Sequence, residues 1–240
     1  MGVNRAFGMF GPCPTDALDR LRQFTYMERD FLGADVGDFT TVGDGTELFA
    51  VAATAGGWLS VRADNNTDNE ECYGITPTSF SFASGKPVRF AAKVKCTELN
   101  TDDANLVVGF SSIGTADFLV DNGGGPAASY DGALFFKVDG NLEWETETSH
   151  TTTQQTNITA GTYASATEYE LGIFWDGSAS VFFSIDGVLA ATHTTAGALP
   201  TAAMGVVFGI KNGGANQETL LVDWFAVQGC RTSLGSGSIN

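Results

Sequence analysis

The chain has 240 residues, 28 of them acidic against 12 basic, for a formal net charge of −16. A surface of that sign repels a phosphate backbone, which leaves nucleic acid out as a partner. Hydrophobic residues make up 43%, with 18 Phe, 30 Gly and only 6 Pro, a mixture that supplies a sizeable core and many glycine turns and argues against disorder or a collagen-like repeat.

Residues 1–23 read as an arm. Gly and Phe interleave in "AFGMFGP", and "PTDALDRLRQF" fits two turns of helix capped by Thr15, with Leu18 and Leu21 on one face. No apolar stretch of signal-peptide length stands at the N-terminus, and no run in the chain approaches the ~20 residues that span a bilayer. Synthesis in the cytosol without a membrane partner is therefore expected.

From residue 24 the pattern is strands. "FTYMERDFL", "TELFAVAA", "GWLSVRA", "KPVRFAAKVKC", "NLVVGFSS", "DGALFFKVDG", "EYELGIFW", "SASVFFSIDG", "VLAATHTT", "AMGVVFGIK" and "ETLLVDWFAVQ" are short, rich in β-branched and aromatic residues, and mostly bounded by Gly, Asn or Asp. Asp-Gly recurs at 139–140, 176–177 and 186–187, and supplies the positive φ angles that two-residue hairpin turns demand. About a dozen strands at this spacing predict an all-β sandwich or barrel. The Thr-rich stretch 148–159 fits an exposed strand or a long loop, and 231–240 a flexible tail. The expected organisation is an arm with a short helix over 1–23, a sandwich over 24–230 and a tail over 231–240.

Cys13, Cys72, Cys96 and Cys230 form no C-x-x-C pair, so metal and thioredoxin-type readings lose their spacing signal. Buried thiols are the default in a reducing compartment, with disulfides formed after release from a cell as the alternative.

The segment 169–200, "YELGIFWDGSASVFFSIDGVLAATHTTAGALP", resembles the hairpin of concanavalin A-like sandwiches, laminin-G-like modules and endoglucanases included. "LLVDWFAVQG", 220–229, resembles the closing strand of the same jelly roll. The opening "MERDFLG", the strand "GKPVRFAAKVK" and the ending "NGGANQETLLVDWFAVQGCR" are similar to bacteriophage virion proteins of this fold, among them capsid decoration, or cement, proteins. That resemblance implies a non-enzymatic protein on the capsid exterior, assembled as a homotrimer on the major capsid protein lattice, with no cofactor. Arg5, Phe7, Met9 and Phe10 of the arm are the contact residues it suggests. Carbohydrate recognition, as a binding module or a tail-associated attachment protein, is the rival expectation.

"EWETE" places Glu143, Glu145 and Glu147 on one face of a strand. Glucanases of the resembling fold carry Glu-x-Asp-x-Glu there, the outer acids serving as nucleophile and acid/base. The middle acid here is the longer Glu145. Four residues of strand also advance ~13 Å, whereas the carboxyl groups of a retaining enzyme sit ~5–5.5 Å apart. Trp144 is followed by Thr146 and Thr148, so the opposite face turns polar. The expectation is an edge strand with a solvent-facing acidic row and no catalytic residues, a glucanase using Glu143 and Glu147 being the least favoured alternative.

Asp64, Asn66 and Asp68 alternate as in a calcium loop, but Asn69 and Ile75 stand where the turn Gly and bidentate Glu belong, so no metal is expected. His150 and His193 accompany no G-x-S-x-G nucleophile. Asp121, Asn122, Tyr130 and Asp131 in "DNGGGPAASYDG" offer sugar-contacting chemistry, although three glycines suggest a mobile loop. "NNT" at 65 and "NIT" at 157 match glycosylation sequons by pattern alone.

Overall fold

The structure is a computed structural model and describes residues 24–33, 35–43, 48–52, 56–63, 66–98 and 103–230. The arm with Arg5, Phe7, Met9 and Phe10, its helix, Cys13, Asp64 and the tail lie outside these residues.

Seventeen strands, numbered along the chain, and one 3-10 turn account for the regular structure of the described residues. One sheet has eight strands. It runs β15 (Val188–His193), β14 (Val181–Ile185), β13 (Glu168–Trp175), β6 (Val88–Thr97), β17 (Thr219–Cys230), β4 (Trp58–Arg62) and β3 (Leu48–Ala52), with β1 (Phe24–Arg29) as the eighth. β17 carries this sheet: one side pairs with β6 along nearly its whole length, while the other pairs first with β4 and then with β1. The second sheet has seven strands, β12 (Thr153–Thr162), β11 (Glu143–His150), β10 (Gly132–Lys137), β7 (Ala104–Ser111), β16 (Gly205–Asn212), β5 (Glu71–Ile75) and β2 (Thr40–Gly43). Every pairing between these strands is antiparallel, including that of the small hairpin β8 (Leu119–Val120) with β9 (Gly125–Pro126).

Period-two alternation explains how the sheets meet. On β6, Val88, Phe90, Ala92, Val94 and Cys96 point inward; on β7, Ala104, Leu106, Val108 and Phe110 do. Rings from opposite sheets interlock across the interior, Phe90 with Phe110 at 5.5 Å and Phe208 with Phe225 at 5.4 Å between centroids. Each fully buried Phe contributes roughly 1.5–3 kcal/mol. Cys72 and Cys96 are buried thiols on β5 and β6, and Cys72 donates to the Leu48 carbonyl.

All eleven stretches read as strands contain one. Of the three Asp-Gly pairs, Asp186 (φ 51°) and Gly187 (φ 80°) make the expected two-residue turn between β14 and β15, both central residues left-handed. The other two lie in longer connections.

β11 departs from expectation. It is not an edge strand, because the polar 153–162 segment pairs along it and takes the edge. Its Thr face is interior: Thr146 and Thr148 are fully buried and flank the buried His193 ring, at 3.1 Å from Nε2 and Nδ1 respectively. A hydroxyl on each ring nitrogen satisfies the imidazole, so these polar groups pack inside beside Trp144 and Phe183.

Candidate functional site: the covered face of the seven-stranded sheet

The inner face of β10, β7, β16 and β5 meets the other sheet. Their outer face carries Leu134, Val107, Val207 and Tyr73, and these are just as completely buried. What covers them is the connection 112–131. Its ends are stapled by Ser112 N–H to the Asp131 carbonyl (2.8 Å) and Asp131 N–H to Ser112 Oγ (3.0 Å). The β8–β9 hairpin stiffens its middle, and Phe118, Leu119 and Tyr130 press into the sheet. Phe118 meets Tyr130 edge to face at 5.2 Å and Tyr73 at 6.2 Å. Gly209 makes room for the Tyr73 ring, which a Cβ at that position would strike. This strap is therefore a layer packed on the sheet, with the glycine-rich turn 121–124 at its outer side.

The acidic row lies on this outer face, and the strap reaches it. Glu147 is 4% exposed. Its Oε1 accepts from Tyr130 Oη (2.7 Å) and Gln154 Nε2 (2.9 Å), its Oε2 from Thr156 Oγ1 (2.6 Å). Burial pushes its pKa above the ordinary carboxylate value, and the bonds from Thr156 and Tyr130 only partly oppose this. Glu145 is 5% exposed and accepts from Asn141 Nδ2 at 2.8 Å. Burial raises its pKa too, against the Asn141 bond and with the help of the Glu147 and Glu143 charges. Glu143 is half-buried. The row is thus not the solvent-facing one expected: β12 flanks it on one side and Tyr130 closes it on the other.

A raised carboxylate pKa in a sheet cleft is the usual mark of a general acid. Here the acid has no open approach. Both Glu147 oxygens are occupied by side chains of its own sheet and strap, and attack on a sugar needs a carboxylate oxygen within bonding reach of the anomeric carbon.

A second polar knot fastens the strap at β8. Lys211, fully buried on β16, donates from Nζ to Asp117 Oδ1 (3.0 Å) and the Leu119 carbonyl (3.0 Å), pairs with Asp121, and lies 3.3 Å from Glu71 Oε2. Burial works against its charge, but the bonds to Asp121 and Asp117 with the Glu71 charge outweigh it and hold its pKa above the ordinary value. Glu71 also accepts from Asp117 N–H (2.7 Å) and Tyr73 Oη (2.9 Å), and Tyr73 Oη accepts from Leu119 N–H (3.1 Å). Burial still raises the Glu71 pKa.

The remaining candidates fall apart or serve the scaffold. His193 is interior, whereas His150 sits half-exposed with Nδ1 2.9 Å from Asp131 Oδ1 and 3.3 Å from Thr201 Oγ1. Hydroxyl and carboxylate share one ring nitrogen, so the imidazole cannot relay a proton between them as a triad does. Asp131 also accepts from Thr201, Ala202 and Thr151 N–H; burial opposes its charge, but the His150 bond and these amides hold its pKa below the ordinary value. Tyr130 and Asp131 are buried, whereas Asp121 and Asn122 are exposed, Asp121 being engaged with Lys211. Asn66 and Asp68 lie on the surface.

No family model matches the sequence, and no curated protein matches it. Solved structures do. Lectin II from Ulex europaeus superimposes with a TM-score of 0.63 at 12% identity, over 85% of this chain and 98% of that one. The concanavalin A-like jelly roll is the fold of this chain. A protein of unknown function, SO2946 from Shewanella oneidensis MR-1, superimposes over 94% of this chain and 99% of its own, with a TM-score of 0.57 at 10% identity. A GH16 protein of the Bacteroides ovatus mixed linkage glucan locus, solved with product, covers 84% and 99% with a TM-score of 0.53 at 14% identity. Identities this low establish the architecture and leave function to the residues.

Proposed function

We propose that the chain is a non-enzymatic structural protein of a bacteriophage virion, a decoration protein that binds the outer lattice of the major capsid protein as a homotrimer. The observation that carries the non-enzymatic part is the sealing of Glu147, a carboxylate bonded at both oxygens beneath Tyr130. The virion part is supported by the resemblance of "MERDFLG", "GKPVRFAAKVK", the 169–200 hairpin and the 212–231 ending to phage proteins of this fold. In this reading Phe7, Met9 and Phe10 bury apolar surface against a capsid subunit, with Arg5 beside them, and many copies on one lattice add avidity.

Quantitative mass spectrometry of purified particles from the virus that carries the gene tests it. About one copy per capsid subunit supports decoration; absence from particles refutes it. Carbohydrate recognition is the second reading, favoured by the lectins among the fold neighbours, one of them solved with galactose. It predicts a few copies per particle and binding on a glycan array.

A further inference from the structure

In a chain with 40 formal charges (28 + 12), residues 148–167 and 187–210 contain no Asp, Glu, Lys or Arg. The fold brings these two stretches together. The first includes β12, the edge of the seven-stranded sheet, and the second includes β15, the edge of the eight-stranded one. The edges lie against each other on one side of the sandwich. Gln155 Oε1 of β12 accepts from Thr194 (3.0 Å) and Thr195 (2.8 Å) N–H just after β15, and Gly161 of β12 packs beside the Ile185 side chain at the end of β14.

Sheet edges ordinarily carry charge, Lys above all, to prevent association. This double edge instead displays Ile158, 63% exposed, Val188, 70%, and Leu189, 61%. A β-bulge opposite Glu145, between Asn157 and Gly161, disrupts the free backbone row, so side-chain packing rather than strand addition is the contact this edge offers.

We infer that the edge formed by β12 and β15 is the surface through which copies of this chain meet. Two bodies of net charge −16 repel wherever their acidic surfaces face. They approach at least cost through a surface without charge, and this edge is long, neutral and tipped with aliphatic side chains. Asp186, exposed in the β14–β15 turn, is the charge at its end; along the two strands an acidic or basic partner would find nothing to pair with, whereas an identical edge is complementary in the one property both share. The inference stands on the fold and does not need the virion reading.

Light scattering of the full-length chain after size exclusion, from low to high micromolar concentration, tests it. The expected mass exceeds that of one 25.2 kDa chain. Assembly should strengthen with added salt, which screens the repulsion without weakening an apolar contact. Ile158→Lys and Leu189→Lys should each weaken assembly about tenfold or more, the loss expected from one buried aliphatic side chain. Leu32→Lys makes the same charge change at a residue 74% exposed on another part of the surface and should leave assembly intact. Unchanged melting temperatures show that the variants fold. A monomer throughout, an assembly dissolved by salt, or one that both edge variants leave intact would overturn the inference. Particle copy number tests the virion role separately, so the two can fail independently.

Discussion

Acidification should weaken this fold through a single imidazole. His193 is 1% exposed between Thr146 and Thr148, with Phe183 against its ring at 4.8 Å between centroids. Burial lowers its pKa from 6.5 to about 4. The unfolded chain therefore binds a proton that the folded one refuses between those two values, and stability falls as pH drops through that window. At one unit of pKa shift per 1.36 kcal/mol, the loss is roughly 2–3 kcal/mol by pH 4.5 and flattens below pH 4. Glu71, Glu145 and Glu147 act in the opposite sense, since raised carboxylate pKa values make the folded state gain stability on acidification from neutrality toward their ordinary range. The measurement is accordingly a difference. Denaturant unfolding at pH 7.5 and pH 4.5 is compared between the parent chain and His193→Gln, which keeps a polar group near both threonines and cannot titrate. The parent should lose roughly 2–3 kcal/mol more than the variant. Equal losses would show that His193 takes up its proton in the folded state, and the account of a dry, neutral imidazole would be wrong.

Glu147→Gln should change hydrolysis of no glucan in a broad panel, with no release of reducing sugar expected from the parent chain either; release by the parent, lost in the variant, would reverse the reading of the row. Replacing Lys211 by Met removes the cation that ties Asp117, Asp121 and Glu71 together and should cost about 3 kcal/mol, with faster amide hydrogen exchange over 115–125 than elsewhere. Tyr130→Phe leaves the apolar packing and deletes one donor to a buried carboxylate, a loss of about 1–3 kcal/mol in chemical denaturation. Asp131→Ala strands the amides of Thr151, Thr201 and Ala202 and should cost about 2 kcal/mol near neutral pH. Because the folded state holds the Asp131 pKa down, the parent's advantage over this variant should shrink as pH falls through and below the ordinary Asp range.

The strands that alternate β-branched and aromatic residues between glycine turns were legible because their burial pattern is written locally. "VRFAAKVKC" and "VFFSI" show period two without any knowledge of their neighbours. β5 was not legible. Its opening "EEC" looks like the end of an acidic loop, since Glu71 finds its counter-charge on Lys211, a residue far along the chain. β12 was only half legible, since its Thr-rich stretch fitted a long loop as well as an exposed strand: it has no apolar face, and what stabilises it is pairing with β11, bonds donated by Gln154 and Thr156 and a bond that Gln155 accepts from Thr194. The spacing of the three glutamates was readable, but their environment was not. Nothing in "EWETE" tells that Tyr130 closes over it. The signals available in retrospect are a lone lysine at the end of the apolar run "GVVFGIK" and a tyrosine beside an aspartate after a glycine-rich turn, both weak until the partners are known.

The strap has a consequence for how the molecule is made. Its hydrophobic underside and its acids are synthesised as residues 112–131, but the lysine that fixes it around β8 lies on β16, 94 positions after Asp117. During synthesis the segment waits without its counter-ion until β16 is made, and β5, β7 and β10 cannot form their finished outer surface before β16 takes its place between β7 and β5. Contacts of such long sequence separation carry a large loop-closure cost and form slowly. The strap thus closes only once β16 is in place, and the arrival of that strand is registered at one buried ammonium group.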